Sequence, residues 1–137
     1  MFDNVLRGID AAVENQLTPL KLNAVVMRGF NDDELANLVH FARERDAEMR
    51  FIEYMPMGLA RFDDRNKLVT AAEMLQLLSP HFDLQPHAST HNDPARGYVC
   101  RKSGARVGFI TSMSDHFCDG CNRMRWTAEG GLARCLD

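Results

Sequence analysis

Two amphipathic helical patterns alternate with two short apolar runs, and the links between them are only a few residues long. That alternation constrains the fold more than any other feature of the sequence. From Asp3 to Gln16 the apolar residues Val5, Leu6, Ile9, Ala12 and Val13 recur at helical spacing, with Asp3 placed as an N-cap. After Thr18-Pro19, the run Leu20 to Met27 is rich in β-branched residues and ends at Gly29, which reads as a buried strand. Asn31-Asp32-Asp33-Glu34 opens a second helix to about Arg45, with acids in its first turn and Arg43 and Arg45 in its last, the polarity that a helix dipole favours. Met49 to Met55 then forms a second strand, stopped by Pro56 and Gly58. Helix, strand, helix, strand with short links predicts parallel pairing in an α/β sheet or barrel.

Beyond Pro56 the pattern changes. Residues 56–67 are polar and irregular, and Thr70-Ala71-Ala72-Glu73 fits a capping box for a helix to about Leu78. From Pro86 the chain reads as loop until Arg106 to Thr111, a strand. A hairpin follows, with arms Arg125 to Ala128 and Leu132 to Leu136 about Gly130-Gly131.

With 45% hydrophobic and 26% charged residues, the 137-residue chain has the composition of a globular unit. A formal net charge of −3 offers no global basic field for a polyanion, so nucleic acid is not an expected partner and any phosphate site must be local. No apolar run approaches the roughly 20 residues of a membrane span, and the N-terminus has neither a basic n-region nor an apolar h-region, so a cytoplasmic protein is expected. In that setting four cysteines read as ligands or reduced thiols rather than as disulfides.

Cys118-Asp119-Gly120-Cys121 is a C-x-x-C pair, and Cys135 lies on the far arm of the predicted hairpin, which can return a third thiolate to the pair. Three cysteines suit a [4Fe–4S] cluster with one open iron. Zinc, with Cys100 or His116 as a fourth ligand, is the alternative, and Cys100 is otherwise an ordinary buried thiol. Next to the pair, Arg123 and Arg125 share one face of an extended segment, where they either bind an anion or are simply solvated. A clamp on RNA by Arg123, Arg125 and Trp126 is disfavoured by the acidic balance. In the strands, Lys21 and Asn23 share a face, and Arg50 and Glu53 interrupt an apolar run. Such charges either pair, Lys21 with Glu53 being the structural reading, or line a polar cavity. The five histidines share no ligand spacing; they are expected at the surface or satisfied in the core, with His116 the one near the cysteines.

Three segments together resemble one family: Lys21 to Glu34 (KLNAVVMRGFNDDE), Arg50 to Pro56 (RFIEYMP) and Cys118 to Arg125 (CDGCNRMR). They are similar to the GTP 3′,8-cyclases, the radical-SAM molybdenum cofactor biosynthesis protein A family. The resemblance implies the C-terminal portion of an incomplete radical-SAM (β/α) barrel over residues 1–58. A linker and a small cysteine-rich α+β extension over 59–137 would hold part of a second iron–sulfur site. It implies that Cys118, Cys121 and Cys135 ligate a [4Fe–4S] cluster, that Lys21, Arg123, Met124 and Arg125 contact GTP, with Arg50 a further candidate, and that Met55 touches S-adenosyl-L-methionine. The implied activity is that of a lyase. A radical from S-adenosylmethionine takes the ribose 3′ hydrogen of GTP and the sugar then attacks C8 of the base, giving (8S)-3′,8-cyclo-7,8-dihydroguanosine 5′-triphosphate for molybdopterin synthesis.

One departure matters. The C-x-x-x-C-x-x-C motif of the S-adenosylmethionine cluster occurs nowhere in the 137 residues. The resemblance therefore implies a part that is inactive alone, partnered by the missing N-terminal barrel half or by further copies of itself. A non-catalytic zinc-binding module is the competing expectation.

Overall fold

The computed structural model describes residues 2–56, 65–87, 93–115 and 124–133. In chain order these form α1 (Phe2–Glu14), β1 (Lys21–Val26), α2 (Leu35–Glu44), β2 (Glu48–Glu53), a 3₁₀ turn (Arg65–Lys67), α3 (Ala71–Leu78), β3 (Leu84–His87), β4 (Arg96–Cys100), β5 (Arg106–Ile110), β6 (Arg125–Trp126) and β7 (Leu132–Ala133). A five-stranded mixed sheet has the order β1-β2-β5-β4-β3, and β6 pairs with β7 in a separate hairpin.

The parallel pairing predicted for the first two strands is present, Lys21 opposite Glu48 through Val26 opposite Glu53. β5 then adds on the other side of β2, also parallel, with Arg50 opposite Gly108 and Phe51 opposite Phe109. Strands from before residue 56 and from after residue 65 therefore share one sheet. Alternation in these strands makes two unlike faces. Leu22, Ala24 and Val26 of β1, Met49 and Phe51 of β2, and Val107 and Phe109 of β5 turn to the core. There they meet Leu35, Val39 and Ala42 of α2 and Met74 and Leu78 of α3. Phe109 stacks at 6.0 Å from Phe51 and receives Tyr98 edge-on at 5.5 Å. Cys100 is buried and free, as expected.

Two expectations are corrected. The stretch from Pro86 to Arg106, read as loop, contains the end of β3 and all of β4, which pair antiparallel with each other and with β5. Pro86 and Gly97 disguised them. Pro86 is tolerated because β3 is an edge strand, where a missing N–H costs no ladder bond. The second helix starts at Leu35 rather than Asn31, because the polar residues before it are used in the turn after β1. The Asn31 side chain accepts from Met27 N at 2.8 Å and donates to Val25 O at 3.0 Å, while Asp32 accepts from Gly29 N at 2.7 Å. These local bonds compete with helix formation, and Gly29 supplies the positive φ of 70° that the turn needs.

The capping box of α3 is present: Glu73 N donates to Thr70 Oγ1 at 3.3 Å, and Thr70 N donates to Glu73 Oε2 at 2.8 Å. The last hairpin also forms, closed by Thr127 N to Gly131 O at 2.8 Å about Gly130, whose φ is +84°. α1 buries none of its residues; Phe2, Val5 and Val13 are exposed, and Asp10 reaches Arg45 Nε at 3.0 Å. No helix among the described residues is long and apolar enough to cross a membrane.

Phe51 is wholly buried on the packed face of the sheet. Phe51→Ala should cost about 3–5 kcal/mol in urea denaturation, the range for deleting a buried aromatic ring; a loss below about 1 kcal/mol would contradict this placement of the core.

Candidate functional site

The sheet face opposite the helices carries Lys21, Asn23 and Val25 of β1, Glu48, Arg50 and Ile52 of β2, and Gly108 and Ile110 of β5. Asn23 and Val25 are exposed on it. Toward the start of the strands this face holds an ion network. Arg50 donates from Nε to Glu48 Oε1 at 2.8 Å and from Nη2 to Asp93 Oδ2 at 2.5 Å. Lys21 Nζ reaches the same Asp93 oxygen at 3.4 Å, and Asp93 Oδ1 accepts from Ala95 N at 3.1 Å. The Arg50 side chain is only 9% exposed, against 39% for Lys21. Burial alone would lower the Arg50 pKa, and hydrogen bonds and charge from Asp93 and Glu48 outweigh it, holding the guanidinium charged. Burial likewise pushes Asp93 up, but the Arg50 hydrogen bond, the Ala95 N–H and the charges of Arg50 and Lys21 leave it below the usual carboxylate range.

Gly108 makes the room. A Cβ there would stand 2.9 Å from Glu48 Oε1, 3.1 Å from Ala95 Cβ and 3.3 Å from Arg50 Cγ.

Glu53 is not the partner of Lys21. In parallel register Lys21 lies opposite Glu48, and Glu53 belongs to the core parity of β2. Only 1% exposed, its carboxylate accepts from Ala71 N at 2.9 Å, Met113 N at 2.8 Å, Ser114 N at 2.8 Å and the Ser114 hydroxyl. Burial pushes its pKa up, and these donors to the ionised form outweigh burial and hold it below the ordinary 4.5. Glu53 thus ties the end of β2 to the first turn of α3 and to the turn after β5, where Arg96 pairs with Asp115.

Of the residues singled out from the sequence, the structure brings Lys21 and Arg50 together through Asp93. Met55 is half-buried just beyond β2, in the direction in which β1, β2 and β5 all run. Met124 and Arg125 are exposed on the hairpin, Arg125 opposite Ala133. Cys118, Cys121, Cys135, Arg123 and His116 lie outside the described residues, among which no group of three or more His, Cys, Asp and Glu side chains could hold a metal ion. His40 and His81 are exposed beside Phe82, and His87 is exposed. The sequence reading missed Glu48, Asp93 and Gly108. The two-residue spacing of Glu48 and Arg50 was a usable signal; Asp93, distant in sequence, offered none.

A cavity of about 660 Å³ on the helix-covered side is lined by His40, Leu75, Phe82, Tyr98, Cys100 and Lys102. It is separate from the charged face. At its wall, burial pushes the Cys100 thiol up, while hydrogen bonds with Ser103 and the nearby backbone bring it below its ordinary value.

The described residues thus form a mixed α/β sheet with one face packed on helices and an ion network on the other. The chain belongs to the Molybdenum Cofactor Synthesis C family, whose profile matches residues 47–137. It is 41% identical over 135 residues to the GTP 3′,8-cyclase of Petrotoga mobilis, a match covering 98% of this chain and 42% of that protein. Identity to the GTP 3′,8-cyclase of Moorella thermoacetica is 44% over 134 residues, covering 97% and 41%. It is 40% to molybdenum cofactor biosynthesis protein 1 of Drosophila melanogaster, covering 98% of this chain and 24% of that protein. The chain thus spans less than half the length of these relatives.

Two outcomes test the site's architecture. Gly108→Ala should cost about 1–3 kcal/mol by overpacking the Glu48–Arg50 network, and an unchanged urea midpoint would contradict the close approach. Because the Glu53 pKa is lowered on folding, its contribution is complete above the ordinary 4.5 and is lost as pH falls below it. Glu53→Gln should therefore lose about 1–3 kcal/mol at neutral pH and show a flatter acid limb than wild type; parallel stability–pH curves would contradict this role.

Proposed function

We propose that this chain is the C-terminal part of a GTP 3′,8-cyclase, a lyase that converts GTP to (8S)-3′,8-cyclo-7,8-dihydroguanosine 5′-triphosphate in molybdenum cofactor biosynthesis. On this reading, residues 1–58 are the last β/α units of an incomplete radical-SAM barrel. Residues 59–137 are the linker and part of the iron–sulfur region, with β4 and β5 extending the same sheet. The observation that carries the reading is the joining of Lys21 and Arg50 on the sheet face opposite the helices, in a chain about 40% identical to named cyclases along nearly its whole length. An interior face that binds triphosphate needs fixed cations, and Arg50 is fixed by its burial and by Glu48.

Lys21 and Arg50 would bind the anionic end of GTP, with Arg123, Met124 and Arg125 contacting the nucleotide from the hairpin side. Met55, at the carboxyl end of β2, would touch S-adenosyl-L-methionine, in keeping with sites that gather at strand ends. From Glu48 to Met55 is roughly 20 Å along the strand direction, enough to separate the two ends of such a site. The donor set fits an iron–sulfur cluster. Cys118, Cys121 and Cys135 supply thiolates, and the β6–β7 hairpin turns the chain back on itself between Cys121 and Cys135. When bound, a [4Fe–4S] cluster on three cysteines supplies an open iron for the guanine, and S-adenosylmethionine supplies the radical initiator. The C-x-x-x-C-x-x-C motif is not among these 137 residues, so on this reading the radical step depends on the N-terminal barrel half. Among the described residues β1 is an edge strand, which suits pairing with the N-terminal half of the barrel.

Anaerobic purification, reconstitution with iron and sulfide, and metal analysis test this. About four iron and four sulfide per chain with a brown visible spectrum are expected, lost in Cys118→Ser. A colourless protein with one zinc per chain would replace the reading with a structural zinc module, and a chain that holds no metal would overturn the cluster assignment.

A further inference from the structure

Among the side chains of the charged face, one carboxylate stands where the proposed ligand would bind. We propose that Asp93 is a built-in competitor for the nucleotide. Its carboxylate occupies the Lys21–Arg50 cation pair, and a triphosphate binds there by displacing it. The inference rests on the reading that this face takes GTP.

Charge balance is the first argument. Lys21 and Arg50 carry two positive charges and Glu48 and Asp93 two negative ones, all joined within 3.4 Å. The group is formally neutral, so with Asp93 in place it presents no net field to a polyanion. Exchange of one carboxylate oxygen for a phosphate oxygen restores the attraction without ever leaving the buried Arg50 unpaired, since Glu48 remains on Nε. Arg50 and Lys21 share one oxygen of Asp93, the bridging arrangement that a phosphate oxygen also makes.

The second argument concerns which carboxylate can leave. Glu48 sits in β2, its backbone in register with Lys21 on one side and Arg106 on the other. Asp93 lies between β3 and β4, outside both strands, and among the described residues its local anchor is Ala95 N. Rotation of the Asp93 side chain opens both Lys21 and Arg50 at once, whereas rotation of Glu48 frees Arg50 Nε alone. The half-exposed Lys21 marks the side from which an anion enters.

Calorimetric titrations of GTP and, separately, of inorganic triphosphate into the 137-residue chain and its Asp93→Asn form test the proposal. The variant should bind both ligands about fivefold to tenfold more tightly, with a steeper loss of affinity as salt rises, because a net positive charge then remains. Asp93→Ala should behave alike, and either variant suffices if the other does not fold. Glu48→Gln changes the net charge equally but leaves Asp93 in place, and it should tighten binding less. Equal or weaker binding by the Asp93 variants, or equal tightening by Glu48→Gln, would overturn the proposal. If triphosphate gains affinity while GTP binds no better than triphosphate, the competitor stands and the guanosine reading falls. If GTP binds tightly and alike to both proteins, the reading stands and the competitor falls. No binding of either ligand to any form overturns both.

Discussion

Arg50 is a full positive charge with only about a tenth of its side chain in water, and the rest of the charged face is arranged around that fact. Withdrawing a guanidinium from solvent costs several kcal/mol unless its donors are met. Glu48, two residues earlier on the same strand, meets one, because alternation puts both on the same face. Asp93 meets another from outside the sheet. Both carboxylates can approach only because β5 places Gly108 opposite Arg50 and the covering segment places Ala95 beside it. Small residues at those points are thus consequences of a buried cation, and so is the electrical neutrality of the group.

Glu53 solves the same problem on the opposite face with different partners. Where Arg50 is neutralised by charge, Glu53 is met among the described residues by three backbone N–H groups and one hydroxyl. The bonds run to α3 and to the turn after β5, so a single carboxylate fixes the carboxyl end of β2, the start of a helix and the exit of a neighbouring strand. Ser112 adds a bond to the Glu53 carbonyl at 3.1 Å. That exit leads on in sequence toward Cys118, which makes the stiffness of the turn relevant to any site the cysteines build.

Periodicity made β1, β2, α1, α3, β5 and the hairpin legible, because each is a contiguous pattern with a terminating Gly, Pro or cap. β3 and β4 were not legible: a strand of four residues containing a proline and one of five containing a glycine are stabilised by their neighbours, not by their own sequence. The expected Lys21–Glu53 pair failed on geometry that the sequence did contain. Arg50 and Glu53 are three apart and must face opposite sides of a strand, whereas Glu48 and Arg50 are two apart and must share one. Asp93 was beyond reach, since nothing local links it to residues of β1 and β2.

The two buried charges also set a direction on the sheet. Cations lie near the amino ends of the parallel strands, on the open face. The end of β2 near Met55, the start of α3 and the turn beyond β5 are bound together by Glu53 at the carboxyl ends. The face opposite the core is therefore unlike at its two ends, with the ion network of Lys21, Glu48, Arg50 and Asp93 at one and Met55 beyond the other. The packed face is instead filled by Phe51 and Phe109. Among the described residues, polarity along the strands and asymmetry across them thus distinguish one face and one direction of the sheet.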